Sequence, residues 1–464
     1  MARLTVATAA ERLADWTLGL ALEDVPADVI AAAKLHLLDA LGCGLAASAL
    51  AVGCEGREVG LAAGGEPESS VIAAPTRLPA PAAAFANGML CHALDYDDTH
   101  AESLCHVTAV IGPAALASAE AAGASGAETV AALVAGSELV ARLGAAATGA
   151  FHARGFHPTS VCGVFGAAAA AARLGGLGFS QTASALGLAG SAACGLFAYL
   201  DDGTATKPVH AGLAAQNGLL ATRLAAAGAA GPPSVFESRF GLFRAFAGAG
   251  PDALDEQLGD LGRRWETPRI AFKAYPACHY SHGALGAAAC LAVEHGLRAD
   301  RIAAVEVEVP PGPAVSLVLE PAAEKAAPRT DYEAKFSLPF SLAALLVHGV
   351  AGLDTYAEPT RSDPDVLALA RRVTYRVRDF GSVGHAFPGA VRVMLADGRE
   401  LTAHLEYQRG APENPLEEPQ VLEKFRANAG LALTEEAAEA LADDTLSLDE
   451  RDNVGAVLAP LRRS

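Results

Sequence analysis

Between Cys91 and His106 the chain packs four carboxylates (Asp95, Asp97, Asp98, Glu102) and three imidazoles (His92, His100, His106) into sixteen residues, although only 19% of the whole sequence is charged. Ionisable groups are costly to bury unless they are paired, so a cluster of this kind marks a cleft in which protons move or anions are held. The plain alternative is a solvated loop whose aspartates cap a helix.

Four more segments join ionisable groups to turn chemistry. In Gly155-Phe156-His157-Pro158-Thr159-Ser160 the proline biases His157 to extended geometry just before a helix. The stretch Lys207-Pro208-Val209-His210-Ala211-Gly212 sets a lysine and a histidine at a helix entrance, where free backbone N–H groups attract anions. The run from Phe272 to His282 carries Lys273, Tyr275, Cys278, His279 and His282. His279 and His282 can share a helix face, yet they lack a third ligand, and no metal site is expected from them. The fifth segment, Asp331 to Phe340, reads as structural, with Lys335 an exposed charge.

The elements that must position these groups are mostly helical. From about residue 7 to 265 the pattern predicts helices over Ala80 to Leu90, Gly112 to Ala122, Ala127 to Ala147, Val161 to Arg173, Gln181 to Leu196 (Ser180 as N-cap) and Ala211 to Ala227. The texture changes near Ile270. Ile302 to Val309, Val373 to Val377, Val391 to Leu395 and Leu401 to Tyr407 read as strands, with a hairpin turn at Asp397-Gly398, and helices are expected near Ser281 to Gly296 and Ser337 to His348. From Pro415 the pattern is helical again. The expected fold is mainly α with an α+β part: a helical domain (1–267), a smaller α+β lid domain (268–408), and C-terminal helices (409–464) that return to the helical domain.

Composition limits what the chain can do. A 52% hydrophobic content with 6% aromatics means that alanine supplies much of the apolar surface, which favours closely packed helices. The formal net charge of −19 argues against nucleic acid as a partner, so an anionic substrate must be drawn in by local positive charge. Eight scattered cysteines form no CxxC pair, and no secretory signal is evident in Met1 to Asp15, so a cytoplasmic protein without disulfides is expected. Leu174 to Leu200 is uncharged and long enough to span a bilayer, but its six glycines point to a loop and a buried helix instead.

Taken in order, His-Ala-Leu-Asp-Tyr-Asp-Asp-Thr-His from His92, Gly-Phe-His-Pro-Thr-Ser from Gly155, Lys-Pro-Val-His-Ala-Gly from Lys207, Lys-Ala-Tyr-Pro-Ala-Cys-His-Tyr-Ser-His from Lys273 and Glu-Ala-Lys-Phe-Ser-Leu-Pro-Phe from Glu333 resemble the MmgE/PrpD family. That family includes 2-methylcitrate dehydratase, cis-aconitate decarboxylase and iminodisuccinate epimerase. The resemblance runs from the helix around Asp39 to Asn414-Pro415. It implies a large helical domain with an α+β lid, a homodimer, and proton transfer beside a carboxylate with no cofactor and no metal. By motif it places Asp95, His106, His157 and Lys207 as catalytic groups, and Thr99 and Lys273 on the substrate, a small anionic polycarboxylate, with His100, His210 and Tyr275 as further contacts. Phe340 stands where a tyrosine is common. Dehydration of a 2-methylcitrate-like acid is the expected activity, with decarboxylation or epimerisation of a related acid as alternatives.

Two rivals come from other classes. Asp95-Tyr96-Asp97-Asp98-Thr99 fits the DxDxT pattern of haloacid-dehalogenase-type phosphatases, but that motif follows a buried strand and the residues before Asp95 read as helix. The other is a non-catalytic ligand-binding protein on the same fold.

Overall fold

Alanine and glycine let the helices of this protein approach more closely than larger side chains allow, and the computed structural model, which describes residues 7–381 and 386–462, shows where. The helices Ala80–His92 and Lys207–Ala226 touch backbone to backbone: a Cβ on Gly88 would lie 3.0 Å from the Cα of Gly212. Glycine in a helix interior costs about 1 kcal/mol against alanine, and close approach is what it permits. This contact sits about one turn before His92 and just beyond one turn after Lys207, so it sets the spacing of the two helix ends that carry the charged motifs.

The helices Thr108–Ala122, Gly126–Ala145 and Pro158–Leu174 complete the layer around this pair. Their apolar faces, with Ala27–Ala49 and the C-terminal helices Glu418–Ala429 and Glu435–Leu446, form one core running from Ala9 to Ile270 and again from Phe425 to Leu461. A second core, from Tyr275 to Leu395, lies between the helices His282–His295 and Leu338–His348 and a four-stranded sheet. The strand order is Val373–Val377, Ile302–Val309, Gly389–Leu395, Glu400–Leu405; the first pair is parallel and the others antiparallel. The fold is mainly α with a small α+β part.

Boundaries depart from expectation where local chemistry competes. The helix predicted from Gly112 starts at Thr108 and carries Pro113 inside it. The helix predicted from Ala211 starts at Lys207, with Pro208 in its first turn, where a missing N–H leaves nothing unsatisfied. Gly178, not Ser180, is the N-cap of Phe179–Ala189, because the Gln181 side chain accepts from the Gly178 N–H. That helix ends at Ala189 rather than Leu196, and Leu174 to Leu200 is accordingly a set of short broken elements. Ala27–Ala49 is long and apolar enough to cross a membrane, but 72% of its most apolar window is buried inside the fold.

Candidate active site

The first motif forms a tight turn after Ala80–His92. Asp95 sits at its centre with φ +53°, in the left-handed region that aspartate tolerates better than most residues. Four buried lysines from four different segments converge on this turn. Lys335 Nζ donates to Leu94 O at 2.7 Å, Lys273 Nζ to Asp95 O at 2.9 Å, and Lys424 Nζ to Tyr96 O at 2.8 Å. Asp95 Oδ1 accepts from Lys207 at 2.6 Å and from Lys273 at 2.9 Å. Lys424 is anchored in turn on Asp39, 2.8 Å away. The turn is therefore held by charge-assisted bonds on three consecutive carbonyls, each worth more than a neutral hydrogen bond.

Burial alone would raise the Asp95 carboxyl, but Lys207 and Lys273 override it and hold the group well below the usual carboxylate range. Two ammonium groups thus share one carboxylate, which leaves net positive charge. Asp95 Oδ2 is buried and has no partner among the described residues.

His106 faces the same lysine. Its Nδ1 lies 2.8 Å from Asp98 O, so Nδ1 carries the proton and Nε2 is the acceptor, 3.2 Å from Lys207 Nζ. Thr99 Oγ1 is 3.2 Å from the same Nδ1. Burial, then Lys207 and Lys273, push His106 well below the normal histidine range, so the imidazole is neutral. His157, the N-cap of Pro158–Leu174, is also depressed by burial first and Lys207 second, and its Nδ1 meets His210 Nδ1 at 3.2 Å. His106, His157 and Lys207 all lie at or just before helix N-termini, where the backbone favours negative charge.

These groups line a pocket of about 60 Å³ with Thr99, Lys273 and His279, walled by Phe197, Phe336 and Leu317. Through shared lining residues, among them Leu104, His152 and Tyr280, it continues into a vestibule of about 1030 Å³.

The structure brings Thr99, His106, His157, Lys207 and Lys273 to the pocket, with Asp95 hydrogen-bonded behind the two lysines. Three expected contacts lie elsewhere. His100 points away: its Nε2 is 3.2 Å from Glu266 and its Nδ1 3.0 Å from Ser103, because its two-residue strand pairs with Ile270–Ala271 and turns alternate side chains to opposite faces. Tyr275 is buried in the second core, edge-on to His282 at 5.3 Å. His210 backs His157 rather than lining the pocket. Lys335 is buried rather than exposed, and Phe340 is a core side chain near Tyr356.

Sequence reasoning counted His92 in the first cluster but gave it no role, although it pairs with Asp97 at 2.8 Å, and it passed over Lys424 and His152. Nothing in the residues around Lys424 separates it from a surface lysine on an amphipathic helix. The imidazoles of His92, His106 and His157 lie close enough to hold a cation, as do Asp95, Asp97 and His106. The nitrogens His92 Nδ1, His106 Nδ1 and His106 Nε2 are, however, already engaged by Asp97, Asp98 O and Lys207, and the ammonium adds fixed positive charge at that point.

The MmgE/PrpD N-terminal domain matches residues 11–254 and the MmgE/PrpD C-terminal domain residues 275–449. The cis-aconitate decarboxylase-like protein oryM of Aspergillus oryzae is 31% identical, over 96% of each chain. Cis-aconitate decarboxylases of Aspergillus terreus and Homo sapiens are each 29% identical over 96% of this chain, and over 94% and 92% of their own lengths. With both domain models matched in order along nearly the whole sequence, the chain belongs to the MmgE/PrpD family.

Proposed function

We propose that this protein is a decarboxylase of a cis-aconitate-type polycarboxylate, acting by charge stabilisation and proton return without a redox cofactor. The observation that carries the reading is the pair Lys207 and Lys273 on one face of Asp95, beside a neutral His106. When a carboxylate beside a double bond leaves, the C–C bond breaks, neutral CO₂ departs, and the electron pair spreads through the double bond toward a neighbouring carboxylate. A proton then closes the carbanion. Fixed ammonium groups in a dry pocket stabilise the spreading charge. The apolar wall of Phe197, Phe336 and Leu317 accommodates CO₂ better than the carboxylate it came from. The substrate's carboxylates draw on Lys207 and Lys273, and their negative charge raises the affinity of His106 and His157 for the proton to be delivered.

Dehydration of a 2-methylcitrate-like acid, the activity expected from the sequence, fits less well. It needs a base to remove a proton from carbon, and Asp95, paired with two lysines, is held well below its ordinary basicity, whereas loss of CO₂ needs no such base. The names of the relatives favour decarboxylation as well. The test is turnover of cis-aconitate by purified protein in D₂O, followed by proton NMR: loss of one carboxylate with one solvent deuteron placed on carbon is expected. Water loss from 2-methylcitrate, with cis-aconitate untouched, would return the assignment to a dehydratase.

A further inference from the structure

The vestibule is unlike an entrance built for a small polyanion. Among the described residues its walls include Leu104, Leu196, Phe197, Leu200, Pro311 and Leu317, and the one cationic side chain among them, Arg154, is outnumbered by Asp201 and Asp379. Steering of a polycarboxylate calls for positive potential along the way in, and among the described lining residues the acids outnumber the one base. Leu196 nevertheless stands 57% exposed there. His152, at the junction with the inner pocket, is pushed down to about 4 by burial and then by Lys207, so it adds no charge at neutral pH. An apolar chamber of about 1030 Å³ that is continuous with a small cationic pocket matches a ligand with two unlike ends.

We infer that the vestibule binds a hydrocarbon substituent, so that the preferred substrate is an alkyl-substituted polycarboxylate whose carboxylates sit at Lys207 and Lys273 and whose chain lies between Leu196, Phe197 and Leu317. The inference rests on the decarboxylase reading for the reacting end, and on the vestibule alone for the chain. Each methylene buried there contributes about a 3- to 4-fold gain in affinity or kcat/KM, until the chamber is filled.

The experiment compares cis-aconitate with homologues carrying n-alkyl chains of two, four, six and eight carbons, and measures by calorimetry the binding of unreactive n-alkylsuccinates of the same lengths. Both series should rise with chain length in the wild type. Ala198→Trp, which narrows the vestibule, and Leu196→Asp, which makes its wall polar, should flatten the rise by 10-fold or more at six carbons relative to each variant's own turnover of unsubstituted cis-aconitate. Turnover of cis-aconitate with no dependence on chain length in either series would overturn the inference and spare the decarboxylase reading. Chain-dependent binding without turnover of any homologue would do the reverse. Loss of self-association in Leu196→Asp, with chain length still without effect, would mean that a second copy of the chain covers this face, and would also overturn it.

Discussion

Lys335 is the group whose environment is most at odds with its sequence context, and replacing it by methionine gives a measurable consequence. The side chain is 7% exposed and its ammonium donates to Leu94 O at 2.7 Å. Burial lowers it from its ordinary 10.5 to about 8, with Asp95 pulling the other way. Below pH 8 the folded and unfolded chains both hold this proton. Between pH 8 and 10.5 only the unfolded chain does, so raising the pH stabilises the fold across that window. At about 1.4 kcal/mol per unit, the gap is worth roughly 3 kcal/mol. Lys335→Met removes this dependence. At pH 7.5 the variant loses the buried charge but leaves Leu94 O unpaired, a cost of about 1–3 kcal/mol, so the two effects nearly cancel. The wild type should then gain on the variant by about 3 kcal/mol as pH rises from 7.5 to 10.5. Urea unfolding followed by circular dichroism suits the measurement, because both tryptophans, Trp16 and Trp265, report only on the helical core. A stability difference that stays flat over this range would refute the assignment of a buried, charged Lys335. Turnover at pH 7.5 should drop by about 10-fold with KM less affected, since the tether on Leu94 O helps to hold Asp95 in its positive-φ conformation.

Lys207→Met, Lys273→Met, His106→Ala and His157→Ala should each lower kcat/KM by on the order of 10²-fold, as expected for a charge stabiliser or a placed proton donor, with near-native thermal midpoints; variants that unfold, or that keep full activity, would contradict the site. Asp95→Asn leaves two buried ammonium groups without a counter-charge and should destabilise the fold at pH 7 by about 3–5 kcal/mol, which denaturant titrations measure; an unchanged midpoint would contradict the pairing. Binding of a polycarboxylate analogue at neutral pH should take up protons, because His106 and His157 are depressed in the empty site and the anion reverses that; calorimetry in buffers of different ionisation enthalpy reads the number, and proton release would contradict the electrostatics. Activity should survive EDTA, and stoichiometric bound metal whose removal abolishes turnover would show that the cluster of His92, His106 and His157 holds a cation after all.

Much of this protein is written locally. Helical periodicity, the shift to alternating strands after Ile270 and the five charged motifs depend on near neighbours in the chain, and the family resemblance that those motifs carry marked Thr99, His106, His157, Lys207 and Lys273, which share one pocket. Helix boundaries were less legible, because a proline or a side-chain cap such as Gln181 can move a start by several residues at small cost. Direction and burial of single side chains were not legible at all. His100 stands next to Thr99 yet faces Glu266, since alternate residues of an extended segment point to opposite sides. Lys335 and Lys424 look like ordinary exposed lysines, and only the packing of distant segments onto the Leu94-to-Tyr96 turn takes their ammonium groups out of water. The pKa of a group depends on what surrounds it in space, so a neutral His106 beside Lys207, which share no local sequence, exists only once the helices Thr108–Ala122 and Lys207–Ala226 have packed against each other.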